Sequence, residues 1–125
     1  MSTRELSSWE RVTTEIVHFI QARHIDSFQK LRILIFFHEH LESSWTSSQI
    51  VERLYFGDEL LLEEIMADLQ AVGLVECVAN RCKLSDEAEV RLPLQHLVKT
   101  CENPLARQEI FDTVRRRGIE AAIRS

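Results

Sequence analysis

The stretch LQAVGLVECVANRCKLS, residues 69–85, constrains the fold more than any other part of this chain. Gly73 follows a run of apolar residues with helical spacing, and glycine is the residue that most often closes a helix in the left-handed conformation. After it, LVECV and RCKLS alternate around Ala79 and Asn80, and Asn accepts a positive φ at low cost. The stretch therefore predicts a helix that ends at Gly73 and leads directly into a tight β-hairpin.

Before this stretch, apolar residues recur at three- and four-residue steps, which is the spacing of amphipathic helices. The spacing predicts a first helix over residues 3–22 and a second helix that Asp26 caps. A third helix is expected to begin at Thr46 or Ser47 and to end at Gly57.

A fourth helix, from about residue 59 to residue 72, is expected to turn Leu62, Ile65, Met66 and Leu69 inward. After the hairpin, Ser85 can cap a helix that Pro93 must kink or restart, because proline removes a helical hydrogen bond. Asn103 and Pro104 begin a last helix. These elements predict a mainly α protein with one small β-hairpin.

Composition and charge place the chain among globular proteins. It has 125 residues, of which 45% are hydrophobic and 28% charged, and this composition fits one domain with one core. No apolar run approaches the roughly 18 residues that a membrane helix needs, and the first residues lack a signal-peptide pattern. We therefore expect a cytoplasmic protein. Its three cysteines are an odd number, which favours reduced thiols over a disulfide framework.

Three motifs resemble a winged helix-turn-helix domain. WTSSQIVERL resembles the positioning helix, LQAVGLVECV resembles the passage from recognition helix to first wing strand, and CKLSDEA resembles the return strand and the capped helix after it. The resemblance covers residues 27–90, the core of a single predicted domain over residues 1–125. The flanking helices, residues 3–22 and 91–124, are similar to the dimerisation helices of MarR- and PadR-type regulators. The resemblance implies a homodimeric transcription regulator.

The resemblance also implies where DNA would be contacted. The candidate residues lie at the start of the positioning helix and on the wing: Ser47, Ser48, Arg81 and Lys83. Arg81 and Lys83 would straddle a minor groove, although two cations alone give weak, salt-sensitive binding. The basic run at residues 115–117 lies late in a helix, where it is expected to stabilise the helix dipole.

The predicted recognition helix has the wrong charge for DNA. Residues 58–76 contain six acidic side chains and neither Lys nor Arg, in a chain whose net charge is −5. The resemblance places Leu60, Leu61, Glu63, Glu64 and Ala67 toward the groove, where readers of DNA carry side chains that bond base edges or phosphates. This helix is therefore expected to read DNA weakly or not at all.

Two interpretations of the acidic helix remain open. Its acids can form a solvated face with favourable charges near a helix N-terminus. Alternatively, since three consecutive leucines cannot all point inward, an apolar side chain emerges among the acids and forms a surface for a protein partner. The candidate partner contacts are Asp58, Glu59, Leu60, Leu61, Glu63 and Glu64.

Other residue groups give little indication of chemistry. Cys77 and Cys82 face each other across the predicted turn, which suits either a redox switch or two small apolar strand residues. With His96 and Cys101 they would make four zinc ligands, but the spacing is looser than in structural zinc sites. We find no phosphate loop and no nucleophile motif, so we predict no enzymatic activity, no cofactor and no metal.

Two functional hypotheses follow. The first is a dimeric winged-helix transcription regulator with an atypical acidic recognition helix. The second is a protein–protein interaction module on a winged-helix scaffold that does not bind DNA. In either case we expect the terminal helices to form the homodimer through their apolar faces, which contain Leu6, Trp9, Val12, Ile16, Ile110, Phe111, Val114 and Ile119.

Overall fold

The computed structural model describes residues 8–124, with side chains from residue 14 to residue 123. These residues form six helices and one hairpin in the order α1 (Ser8–Ala22), α2 (Phe28–Glu39), α3 (Ser47–Leu54), α4 (Glu59–Ala71), β1 (Val75–Val78), β2 (Arg81–Leu84), α5 (Ala88–Thr100) and α6 (Pro104–Arg124). The protein is mainly α with a small hairpin, as predicted, and this order is compatible with a winged helix-turn-helix. Within the described residues, every helix is too short or too polar to span a bilayer.

The chain divides into two compact units. One unit, Gln29–Arg91, contains nearly all of α2 together with α3, α4 and the hairpin. The other consists of Met1–Phe28 and Leu92–Ser125, and contains α1, most of α5 and α6. The predicted winged-helix core covers almost the same residues as the first unit. That the whole chain forms one domain stays a prediction.

Helix α3 begins and ends with well-defined caps. Thr46 accepts a hydrogen bond from the backbone N–H of Gln49, whose side chain accepts one from the backbone of Thr46, so the two residues form a capping box. At the other end, Tyr55 adopts the left-handed conformation with φ 56° and ψ 39°. The N–H of buried Phe56 then bonds the carbonyl of Val51 over 3.0 Å. This is a Schellman ending.

The prediction that this helix ends at Gly57 is wrong. The helix ends at Leu54, and Tyr55 takes the left-handed position that glycine usually occupies. The physical reason is the next residue, since reversing the chain at Tyr55 lets Phe56 turn into the core, where it is only 8% exposed.

Helix α4 and the hairpin follow the predicted pattern. The Asp58 carboxylate caps α4 by accepting the N–H of Leu61 at 3.2 Å, and Gly73 has a φ of 78° just after the helix. The inward face is confirmed, since all four of its predicted members are buried: Leu62, Ile65, Met66 and Leu69. Ala79 and Asn80, with φ of 53° and 67°, form the two-residue turn of the hairpin, which is also confirmed.

Trp45 forms an isolated antiparallel bridge to β2 that the sequence did not predict. Its backbone N–H and carbonyl both pair with Cys82, each over 2.8 Å. Trp45 also packs against the rings of Phe36 and His40, and the Arg53 guanidinium lies 5.1 Å from its ring centre. The segment before α3 is thereby fixed to the outer edge of β2.

The other unit is built on the packing of α1 against α6. Its buried residues include Ile16, Ile20, Ile110 and Val114, all with no exposed surface. Asn103 begins α6 as predicted, because its side-chain oxygen accepts the N–H groups of the residues at the first turn. Helix α5 continues through Pro93 without ending there.

Three residues of the predicted dimer surface lie in the core of their own chain. Ile16, Ile110 and Val114 are completely buried within their own chain, so they have no surface to offer to a second copy. The reason is that α1 and α6 cover each other. Phe111 is half-buried and packs edge-on against Phe28 at 5.4 Å, while Ile119 is 52% exposed. Leu6 and the side chains of Trp9 and Val12 lie outside the described residues, and the homodimer itself stays a prediction.

Candidate functional site

A groove lies between the start of α3, one side of α4 and the hairpin. It encloses about 660 Å³ and is lined by Thr46, Ser47, Ser48, Glu59, Glu63, Met66, Ala67, Gln70, Cys77, Ala79, Asn80 and Cys82. We call it the hairpin groove. Helix α4 contributes residues spaced by three and four positions, because one side of a helix repeats at that interval. Two of the predicted DNA contacts, Ser47 and Ser48, lie here.

The charge of the hairpin groove is purely negative. Glu59 and Glu63 lie on its α4 wall, and none of its lining residues is Lys or Arg. Glu59, Glu63 and Glu64 are all exposed, and Glu64 lies on the outer side of α4. None of the three forms an ion pair with a side chain between residues 14 and 123. These three carboxylates therefore present uncompensated negative charge to solvent. Asp68 differs, since its Oδ2 lies 3.7 Å from Nζ of buried Lys30.

The two cations of the hairpin are held by local partners. Arg81 donates to the side-chain and backbone oxygens of Ser44, over 3.2 and 3.3 Å. Lys83 forms an ion pair with Asp86 at 3.3 Å, and Asp86 is also bound by Arg91 at 2.7 Å. Of the four predicted DNA contacts, Ser47 and Ser48 line the groove, whereas Arg81 and Lys83 do not.

The three leucines at the start of α4 diverge as predicted. Leu62 is completely buried, whereas Leu60 is 72% exposed and Leu61 is 39% exposed. Successive residues on a helix differ by about 100° in direction, so one face cannot hold all three. The prediction that an apolar side chain emerges beside the acids is confirmed. Leu60 lies on the outer side of α4, one turn before Glu64.

Tyr55 is an exposed residue near α4 that the sequence analysis missed. Its side chain is 91% exposed, and with Leu61 it lines a second, shallow depression of about 220 Å³. We call this the turn depression, since Phe56, Gly57 and Asp58 of the α3–α4 turn also line it. The sequence does contain an indication of this exposure. Tyr55 and Phe56 are consecutive aromatic residues at the end of a helix, and only one of the two rings can turn into the core there.

The expectation that the thiols are reduced is wrong for two of the three cysteines. Cys77 and Cys82 form a disulfide, and their Cα atoms are 4.0 Å apart. The two-residue turn places the two cysteines directly opposite each other on β1 and β2. The backbone of Cys82 bonds to Trp45 and not to Cys77, so the cysteines form a non-hydrogen-bonded pair, the kind in which opposed side chains are closest. The disulfide lines the hairpin groove, and neither sulfur is a thiolate available to a metal.

Cys101, in the other unit, is a free cysteine and is half-buried. Burial raises the pKa of its thiol, and the positive charge of Arg107 partly opposes this increase. A raised pKa leaves less thiolate at neutral pH and makes the sulfur a poor nucleophile.

Comparisons of the chain with protein-family models, with curated proteins and with solved structures found no match.

Proposed function

We propose that this chain is a winged-helix, regulator-like protein that binds a cationic segment of a protein partner through helix α4 instead of reading DNA with it. In this proposal, α3 and α4 correspond to the positioning and recognition helices, and the hairpin corresponds to the wing. The observation that carries the proposal is the set of uncompensated carboxylates of Glu59, Glu63 and Glu64 beside the exposed side chain of Leu60.

Charge argues against DNA at this surface. Binding of DNA depends on cations that neutralise phosphates and release counterions. The hairpin groove has Glu59 and Glu63 where those cations would be needed, and Asp58 caps the α4 N-terminus, where a phosphate would otherwise be favoured. The cations of the hairpin, Arg81 and Lys83, would have to leave their partners before they could contact a phosphate.

The same charges suit a polypeptide that carries Lys or Arg. Ammonium and guanidinium groups bond carboxylates with charge-assisted hydrogen bonds, and a groove about 660 Å³ in volume admits such side chains beside Met66 and the disulfide. Backbone and hydroxyl groups at Ser47 and Ser48 offer further hydrogen bonds along the opposite wall. A partner segment would therefore meet carboxylates on α4 and neutral polar groups on α3.

The DNA part of the proposal is tested with the double variant Glu63→Lys/Glu64→Lys. Both side chains are exposed and unpaired, so the fold should be retained, and each substitution shifts the charge by two units. In a mobility-shift assay with random duplex DNA, we expect no binding by the wild type and salt-sensitive binding by the variant, because the new cations release counterions. The matched control Glu102→Lys/Glu109→Lys makes the same charge change at exposed positions of the other unit. Tight binding of duplex DNA by the wild type, lost in the Glu63/Glu64 variant, would contradict the proposal.

The protein-binding part is tested with a fluorescent probe peptide of alternating Lys and Ser residues. Fluorescence anisotropy at low salt should show binding to the wild type and roughly tenfold weaker binding to Glu59→Lys/Glu63→Lys, since exposed ion pairs each contribute up to about 1 kcal/mol. The Glu102→Lys/Glu109→Lys variant should bind the peptide like the wild type. Equal loss in both variants would mean that net charge, and not the groove, attracts the peptide.

A further inference from the structure

Tyr55 has a left-handed backbone conformation that glycine would adopt more easily than tyrosine. It is not glycine, yet it adopts a φ of 56°, a region that disfavours residues with a Cβ. Glycine at this position would close α3 with the same Schellman bonds at lower conformational cost. Phe56, and not Tyr55, supplies the buried ring of this helix end.

Nothing within the described chain compensates for placing an aromatic ring there. The Tyr55 side chain is 91% exposed, and it makes no hydrogen bond and no ring contact with another residue in the described part of the chain. Two residues further along the turn, a Cβ added to Gly57 would meet no atom within 4 Å, so the turn is open there.

The first turn of α4 adds two exposed leucines, Leu60 and Leu61. Leu61 lines the turn depression together with Tyr55, and Leu60 follows on the outer side of the helix with 72% of its side chain exposed. We call Tyr55, Leu60 and Leu61 the anchor surface. Tyrosine is among the residues that contribute most to binding in protein interfaces, and exposed apolar side chains grouped together are typical of interaction sites.

The charges around the anchor surface are mainly acidic. Asp58, Glu59 and Glu64 lie next to its residues in the chain or one helical turn away. The one cation at the turn depression, Arg32, is engaged by its own chain, since it donates to the carbonyl of Leu54 at 2.6 Å and lies over the ring of Phe56. A partner that covers the anchor surface must therefore bring positive charge around its apolar side chains.

We infer that the anchor surface binds an amphipathic segment of another protein, in which apolar side chains pack on Tyr55, Leu60 and Leu61 and flanking Lys or Arg residues face the acids of α4. This inference rests on the proposed function, and it adds the apolar half of the recognition. The groove would hold cationic side chains, and the anchor surface would hold the apolar ones.

The experiment compares two fluorescent probe peptides of equal charge. One alternates Lys and Ser, as above, and the other has Leu at helical spacing in place of part of the Ser. The wild type should bind the Leu-containing probe about tenfold more tightly than the Ser-containing one, since burial of leucines is added to the same ion pairs. Equal affinity for the two probes would overturn the inference and leave the proposed function intact. Failure of both probes to bind would contradict the proposed function itself.

Tyr55→Gly separates recognition from stability. The variant should be at least as stable as the wild type, because glycine suits the left-handed conformation, and it should lose most of the preference for the Leu-containing probe while still binding the Ser-containing one. Leu105→Ser, at a leucine of the other unit that is 79% exposed, is the control and should keep the full preference. If Tyr55→Gly keeps the preference, or Leu105→Ser removes it, the anchor surface is not where the apolar side chains bind.

Discussion

Replacing Gly118 with Ala should destabilise the protein, although alanine is normally the better helix residue. Gly118 lies inside α6, where the helix passes the backbone of Asp26. A Cβ at this position would meet the carbonyl oxygen of Asp26 at 2.7 Å, well inside ordinary van der Waals contact. Because the obstacle is backbone and not a flexible side chain, relief requires α6 or the α1–α2 connection to move.

Two terms of opposite sign decide the size of the effect. Inserting a methyl group into packed structure costs about 1–3 kcal/mol. Gly→Ala in a helix interior contributes up to about 1 kcal/mol in the other direction. The net loss should be about 1 kcal/mol in the free energy of unfolding, or roughly 4 °C in Tm for a chain of this size.

Urea unfolding followed by far-UV circular dichroism measures this difference. The matched control is Ala122→Gly, at an exposed position of the same helix, which measures the helix-propensity term alone and should also be destabilising. The steric argument would be refuted if Gly118→Ala gained as much unfolding free energy as Ala122→Gly loses. In that case the close approach to Asp26 would have no energetic cost.

Three further outcomes are expected. Reduction of the Cys77–Cys82 disulfide should lower the unfolding free energy by about 2 kcal/mol, because the bond closes a short loop with a sequence separation of 5. A variant with both cysteines replaced by Ser should have the same lower stability and should not respond to reductant. Thr46→Ala should cost about 1 kcal/mol in the same urea assay, since it removes the side-chain acceptor of the capping box. In the double Ser background, alkylation of Cys101 should require a higher pH than that of an ordinary thiol, because burial raises its pKa. Arg107→Ala should slow the reaction further at a given pH, since removing the cation raises that pKa again; a faster reaction would contradict this assignment.

In helix α4, the positions of the candidate site residues follow from the local sequence, whereas their partners do not. Helical spacing alone predicts that Glu59, Leu60 and Glu63 are exposed, because the buried face of α4 determines which residues lie on the opposite side. The sequence could not predict that Glu59, Glu63 and Glu64 lack a cation partner among the described side chains, because a partner can come from any part of the chain. Asp68, on the same helix, finds one in Lys30 of α2.

The elements whose cause lies within a few neighbouring residues can be predicted from those residues alone. Apolar periodicity specified the helices, Gly73 specified the end of α4, and Ala79 with Asn80 specified the hairpin turn, because these features depend on backbone preferences over one turn. Even the disulfide was partly implied, since the turn sets Cys77 opposite Cys82.

Packing between distant segments determines which polar or apolar side chains find a partner. Ile110 and Val114 look available in the sequence and are buried, because α1 covers that side of α6. Arg81 looks free to bind a phosphate and is bound to Ser44, which is 37 residues away. Tyr55 looks like an ordinary helix residue, and it is left outside because Phe56 occupies the core. Periodicity states which side of a helix is apolar, whereas packing between distant segments determines what covers that side, and the surface that remains uncovered is where a partner can bind.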